Sequence, residues 1–384
     1  MKPLRNKVLL ALAFSVALQT LLDQKKRFLA TVVGVAFAVV LVAFQTSLLL
    51  GFLHAAAVVP TATKADIWVV PAGVPTVEFA DVIEAQVGHA LLSDPAVDHV
   101  ASVVTGFARF RSASGNRASV TVVGLEDDTR AAAPWSYALR STAAPGRTMI
   151  VDRSALAILV PAVTRDVEVN DRGFLIGEPI SGFSSFLGAS YAFLTIESAR
   201  DVFGLSPNEA SFLAVYLRPG SDIESTVQRL GRLIPDHQVI TASGFGSASG
   251  LYWMARTGAG GGFLIAAVLG ALVGGVFVAQ SLYTYVLERA EEYALLGAIG
   301  ADPKVVRQIV MFQGAICGVL GAILGALMAV PFVALSEITI VPWIYMPLLL
   351  LPVVMGFGIC LATLSSLGAA RRAVTQDPAA VFRS

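Results

Sequence analysis

The densest group of side chains able to do chemistry is the charged stretch Glu288-Arg-Ala-Glu-Glu-Tyr-Ala-Leu-Leu-Gly-Ala-Ile-Gly-Ala-Asp-Pro-Lys304. At helical spacing, Tyr293, Leu296 and Ile299 share one side, while Glu288, Glu291 and Glu292 share the other. Gly300 followed by Asp302-Pro303 ends that helix and opens the next apolar run. A short amphipathic helix between two membrane spans could rest on lipid, but anionic lipid would repel its acidic face. The pattern therefore points to a protein partner.

Other reactive residues are scattered. His89, His99 and His237 stand far apart in sequence, and His54 borders an apolar run. None has zinc-ligand spacing such as H-E-x-x-H, and no G-x-S-x-G elbow occurs. Gly258-Ala-Gly-Gly-Gly262 looks like a phosphate loop but lacks a following Lys-Ser/Thr and leads into an apolar run, so hinge or packing is the expectation. Cys317 and Cys360 both fall inside apolar runs and read as small apolar residues. We expect no catalytic residue, no metal and no directly bound cofactor.

The elements that position the charged stretch are membrane helices. The 384 residues are 55% hydrophobic and 14% charged, against about 25% charged in an ordinary soluble domain. Lys+Arg and Asp+Glu balance at 27 each, so charge gives no reason to expect nucleic acid as a partner. Four long runs, Phe28–Leu53, Phe263–Leu287, Ile309–Leu335 and Trp343–Leu364, contain no charge. Each exceeds the roughly 20 residues that cross ~30 Å of hydrocarbon, and backbone pairing in lipid makes them helices. Lys25-Lys-Arg27, Arg289, Lys304, Arg307 and Arg371-Arg372 flank one side, and the link at Glu337–Pro342 has no Lys or Arg. The positive-inside rule then puts both termini and the 288–304 loop in the cytoplasm.

The expected organisation is an amphipathic cytoplasmic helix over 1–27 and a first transmembrane helix over 28–55. A large outer domain follows over 56–256, then a second span over 257–287 and the 288–304 helix. Spans over 305–336 and 341–368 and a cytoplasmic tail over 369–384 complete the chain. Lys2, Arg5 and Lys7 before Val8–Leu22 look like a signal peptide, but no small-x-small cleavage site follows, so a surface helix is expected. With no ionisable group at depth, a proton- or ion-driven carrier is not expected. Gly270-x-x-x-Gly274, Gly314-x-x-x-Gly318 and Gly321-x-x-x-Gly325 give small faces for close helix approach. Four spans are few to enclose a path, so a homodimer is expected.

In the large domain, Asp66-Ile-Trp-Val-Val-Pro71 reads as a buried strand, Ala80–Leu92 as a helix and Val100–Arg111 as a strand. Phe212–Leu217 is a strand stopped by Pro219-Gly220, Asp222 caps a helix through Leu233, and Gln238–Thr241 is a further strand. Each end thus gives a β-α-β unit. Residues 117–195 are richer in short β-like runs and read as an insertion. The fold class expected is a membrane protein of four transmembrane α-helices. A large α/β extracytoplasmic domain, with an α/β part and a mainly β insertion, lies between the first two.

The pattern E-R-x-x-E-x-A-x-L-x-A-x-G-A, after the first span of a C-terminal membrane triplet, resembles FtsX/MacB-type ABC transporter permeases. So does the tail Ala369-Ala-Arg-Arg-Ala-Val-Thr-Gln-Asp-Pro-Ala-Ala-Val-Phe-Arg383. Asp23-Gln-Lys-Lys-Arg-Phe-Leu, Ala65-Asp-Ile-Trp-Val-Val-Pro, Leu282-Tyr-Thr and Glu292-Tyr-Ala are most similar to the DevC-type branch. The resemblance implies a homodimer in the bacterial inner membrane, bound to two copies of a separate cytoplasmic ATPase that carries the ATP and Mg. It makes 288–303 the coupling helix, with Glu288, Arg289, Glu291, Glu292, Tyr293, Leu296, Ile299 and Gly300 at the docking surface. It gives the outer domain a porter-like part that engages a membrane-fusion adaptor and, through it, an outer-membrane channel. Where many relatives have Lys or Arg, this chain has Gly297. The alternatives are a lipoprotein-releasing permease, an FtsX-like regulator of a cell-wall hydrolase, and a membrane-anchored enzyme or receptor without an ATPase.

Overall fold

A computed structural model describes residues 2–84, 86–113, 115–126, 133–159, 165–288 and 302–374, with Glu292 and Leu295 between the last two. Two compact units emerge: residues 1–49, 262–336 and 346–384 form one, and 50–261 with 337–345 form the other. Among the described residues, four helices are long and apolar enough to cross a membrane: Lys25–Ala62, Gly260–Ser281, Pro303–Thr339 and Leu350–Gly368.

The chain opens with helix α1 (Lys2–Asp23) and helix α2 (Lys25–Ala62). The 38 residues of α2 make about 57 Å of helix, well beyond ~30 Å of hydrocarbon, so α2 continues past the expected end at residue 55.

The large domain begins with β1 (Ile67–Pro71), β2 (Ile83–Glu84), α3 (Gln86–Leu91) and β3 (Val97–Ser112). The Ala80–Leu92 helix expected from spacing is therefore only its last part. Ile83 and Glu84 are drawn into a two-strand pairing with Ala210 and Glu209, and backbone pairing outweighs the helical pattern there. Residues 117–195 contribute β4 (Arg117–Leu125), α4 (Pro134–Arg140), β5 (Thr148–Val151), α5 (Arg153–Leu159), β6 (Asp166–Val169), β7 (Arg172–Ile176) and β8 (Ser190–Thr195). Then come α6 (Ile196–Phe203), β9 (Glu209–Ala210), β10 (Phe212–Leu217), α7 (Ile223–Leu233), β11 (His237–Thr241) and α8 (Ala242–Thr257).

Neighbouring strands run β11-β1-β10-β3, all antiparallel. Strands β1 and β3 are thus parallel with β10 between them, and β10 and β11 are parallel with β1 between them. Two split β-α-β units interleave in the ferredoxin-like manner. One face packs Ile67, Val69, Leu213 and Val215 beneath Leu91 of α3 and Leu230 of α7. The other packs Trp68, Val70, Phe212 and Ala214 beneath Phe245 of α8. Burial on both faces explains why Ile67-Trp-Val-Val-Pro71 is apolar without alternation. Asp94 takes a bidentate bond from Arg229 of α7 at 2.8 and 3.1 Å, which holds its carboxyl below the usual range and ties α7 to the turn before β3.

The β-rich insertion is not a separate sheet. Strand β3 runs on past β10, pairing with β4 from Val103↔Leu125 to Arg111↔Arg117. The order continues β4-β8-β5-β7-β6, and β6 returns to β3 through Phe110↔Val169 and Ser112↔Val167. Among the described residues six strands therefore close a ring, which leaves no open edge there. Alternate residues fill its inside, among them Val104, Phe110, Val120, Val122, Val167 and Leu194. Asn170 and Asp171, both at positive φ, make the tight β6–β7 turn.

After Gly258, in the left-handed region at φ 68, the chain enters α9 (Ala259–Glu288), α10 (Pro303–Thr339) and α11 (Leu350–Val374). The last helix begins at Leu350 and not at 341. Pro342 and Pro347 lack the amide protons that an earlier start needs. In the membrane unit, α1 buries Ala13, Ala17 and Leu21 at i, i+4 spacing. Leu21 meets Cys317 of α10, Gln313 donates to the Thr20 hydroxyl at 2.8 Å, and Phe14 meets Phe312 edge-on at 5.7 Å. That stripe is an internal contact, so α1 is more than a helix resting on lipid.

Candidate coupling and transmission site

The charged stretch starts where α9 ends. Glu288, the last residue of α9, pairs with Arg27 in the first turn of α2. Glu292 and Leu295 are helical, and Leu295 is exposed. Arg289, Glu291, Tyr293, Leu296, Ile299, Gly300 and Gly297 lie outside the described residues. Beyond them Asp302 caps α10: its carboxylate accepts from the Lys304 amide at 2.9 Å, with Pro303 in the first helical position.

The six glycines singled out by spacing all stand at helix contacts inside the membrane unit. Gly274 faces Ala38 of α2, and a methyl group on Gly270 would stand 2.8 Å from Leu41. Gly321 and Gly325 face Val35 and Val39 of α2, while Gly314 and Gly318 face Ser366 and Ala362 of α11. Helices α2 and α9 thus run antiparallel, with small residues of α9 against α2. In the large domain the last turns of α2 pack on α8, where a methyl group on Gly250 or Gly246 would stand 3.0 Å from Leu53 or 2.7 Å from Ala57.

A polar knot that spacing did not reveal sits where α8 meets the sheet. Glu78 is 3% exposed. Its carboxyl accepts from the Tyr191 hydroxyl of β8 at 2.8 Å and from the Trp253 indole of α8 at 3.3 Å. Phe79 stacks on Trp253 with ring centres 5.4 Å apart. The segment is pinned from below, since Thr105 of β3 donates its hydroxyl to the Val77 carbonyl at 2.7 Å. Burial first, and the neighbouring Glu78 second, push the Tyr191 phenol well above its ordinary pKa. The only sequence signal was a lone acid inside the apolar stretch Val74–Ala80.

The histidines lie on different elements: His54 on α2, His89 on α3, His99 on β3 and His237 on β11. Gly258 closes α8 in the left-handed region, and Gly260 lies against Met254. The described geometry is thus an ion pair between the end of α9 and the base of α2, with α2 packed on α9 in the membrane unit and on α8 in the large domain.

Residues 264–378 match the family model described as FtsX-like permease C-terminal. No curated protein matches the chain. Among solved structures it is similar to the extracellular domain of the noncanonic ABC-type transporter YknZ from Gram-positive bacteria, at 14% identity over 46% of this chain and 98% of that one, with a TM-score of 0.34. It is also similar to the periplasmic region of MacB from Actinobacillus actinomycetemcomitans, at 9% identity over 47% of this chain and 90% of that one, again with a TM-score of 0.34.

Proposed function

From the match of residues 264–378 of this multi-pass membrane protein to the FtsX-like permease C-terminal model, we propose that it is the membrane subunit of an ABC exporter driven by a separate cytoplasmic ATPase. The family match is the observation that carries this reading. ATP binding closes the ATPases, and their motion reaches the chain through the coupling helix that starts at Glu288. Helices α2 and α9 then act as a lever on the large domain. The pairing of Arg27 with Glu288 supports this, because it joins the start of the coupling segment to the base of the lever.

The finer reading is an inner-membrane homodimer, both termini cytoplasmic, in a tripartite assembly with a membrane-fusion adaptor and an outer-membrane channel. Its support is the DevC-type resemblance of Asp23–Leu29, Ala65–Pro71, Leu282-Tyr-Thr and Glu292-Tyr-Ala. The test is to solubilise native membranes in mild detergent, capture the tagged protein and identify what accompanies it. A cytoplasmic ATPase together with a periplasmic adaptor is the expected result. An ATPase without an adaptor removes the tripartite reading. No ATPase, in a preparation that keeps the protein folded and membrane-extracted, overturns the exporter reading.

A further inference from the structure

At the far end of α2 from Lys25–Arg27, the large domain encloses a cleft of about 790 Å³. One wall is α2 at His54 and Ala55. A second is the start of α5 with the loop at Ser181–Ser184. The third is the link from Glu337 to Tyr345. Tyr345 stacks on His54 with ring centres 4.8 Å apart and planes at 17°, and Trp343 meets Phe52 at 6.2 Å.

By chain position the cleft is close to two spans, since His54 stands near the end of one apolar run and Glu337–Pro342 links the next two. Counting from Phe28, about 20 residues of α2 cross ~30 Å of hydrocarbon, so His54 stands about 10 Å beyond it, at headgroup depth, and closer if α2 tilts. The link carries the marks of that zone: Trp343 and Tyr345 are interfacial aromatics. Ile338 and Ile340 are 83% and 76% exposed at the same edge, which is costly in water and natural beside acyl chains.

Two opposite charges face this cleft. Arg153 and Glu337 both line it, both are exposed, and neither has an ion-pair partner among the described residues. The nearby Asp152 does not supply one to Arg153. It is 3% exposed, and its oxygens accept from the Ser154 amide at 2.9 Å and hydroxyl at 2.5 Å, and from the Phe183 amide at 2.8 Å. Those bonds fix the loop and the start of α5, and so fix where Arg153 begins. A site with an exposed cation, an exposed acid, hydroxyls and an apolar lip is complementary to an amphiphile whose head carries both charges.

We propose that this cleft binds a phospholipid with a phosphate and a primary amine in its headgroup, taken from the adjoining leaflet. The phosphate is held by Arg153 and the Ser181 hydroxyl, the ammonium by Glu337, and the acyl chains leave along Ile338 and Ile340. The leaflet is the outer one if the proposed orientation holds; the binding itself rests only on the span assignment and not on an ATPase.

The test uses the full chain in phosphatidylcholine nanodiscs without any ATPase, doped at equal mole fraction with phosphatidylethanolamine, phosphatidylglycerol or phosphatidylcholine brominated on the acyl chains. Trp343 is the reporter, since Trp68 and Trp135 are fully buried and Trp253 is 8% exposed; Trp343→Phe gives the background. Brominated phosphatidylethanolamine is expected to quench at least twofold more than either other lipid. Arg153→Ala and Glu337→Ala are each expected to bring it down to the phosphatidylcholine level, with an unchanged melting temperature. Equal quenching by all three lipids overturns the proposal. So does equal quenching by phosphatidylglycerol and phosphatidylethanolamine that Glu337→Ala leaves untouched, because the amine half would then be absent. Because no ATPase is involved, these outcomes are distinct from failure of the exporter reading.

Discussion

The Trp253 indole of α8 donates to Glu78, a residue 175 positions earlier in the chain, and the distance is 3.3 Å. The acceptor also takes the Tyr191 hydroxyl at 2.8 Å, so one buried side chain ties the helix that precedes a membrane span to a strand of the closed β ring. Glu78→Ala strands two buried donors at once. A buried bond to a charged group is worth about 1.5–3 kcal/mol and each orphaned partner adds a desolvation cost. We expect a loss of about 3 kcal/mol, seen as a clear drop in the melting temperature of the detergent-solubilised protein. Trp253→Phe keeps the stack on Phe79 and loses one donor, so its drop is expected to be the smaller. An equal or larger drop would mean that the indole's size, and not its bond, is what matters.

Tyr191 gives a prediction with a definite sign. Its folded pKa is raised by burial and by Glu78, while an unfolded tyrosine titrates near pH ~10. Between those values the folded state holds a proton that the unfolded state has lost. The contribution is therefore complete below about pH 10 and falls as pH rises further toward the folded value. Urea melts of the full-length protein should show stability declining above pH 10, and Tyr191→Phe should flatten that decline. An unchanged alkaline slope in Tyr191→Phe would show that other groups set it.

Much of the fold was legible because membrane spans and apolar strands obey strong local rules. The uncharged runs announced four helices, and Ile67–Pro71, Phe212–Leu217 and the Asp222 cap announced the strands and helix of the split β-α-β core. What was not legible depends on long-range pairing. That Val97–Ser112 is one strand serving two substructures follows from β10 and β6, which are distant in sequence. The two-residue strand at Ile83 exists only because Ala210 pairs with it. The start of the last helix at Leu350 was obscured because Val341–Leu349 is apolar, although its two prolines were visible. At the candidate site, most of the charged stretch lies outside the described residues, whereas Glu78 looked like any isolated acid because its two donors come from residues 191 and 253.

The α2–α9 contact makes a paired prediction. A side chain at Gly274 runs into Ala38, while one at Gly262 meets nothing within 4 Å. Gly274→Val is expected to cost about 1–3 kcal/mol by overpacking, with less folded protein recovered from membranes. Gly262→Ala should be neutral or stabilising by up to ~1 kcal/mol, as alanine is the better helix former. Comparable recovery of the two variants would mean that the helices do not pack closely there.

The last prediction concerns the segment beginning at Glu288. If it docks on an ATPase, the acidic face and the apolar ridge contribute by different physics. Glu292→Ala removes one charge from a partly solvated contact, worth about 0.2–1 kcal/mol, so coupling should weaken by less than tenfold and recover at low salt. Leu296→Ala removes an apolar anchor, and burying a leucine is worth about 1.5–3 kcal/mol, so binding of the ATPase should fall by roughly tenfold or more without salt dependence. The measurement is ATPase stimulation and export by the reconstituted complex at two ionic strengths, with membrane insertion checked separately. Neither variant should alter insertion, because both positions fall between the uncharged runs Phe263–Leu287 and Ile309–Leu335. Unchanged export in both variants would remove the coupling role from this segment, and the stroke would then have to enter the chain elsewhere.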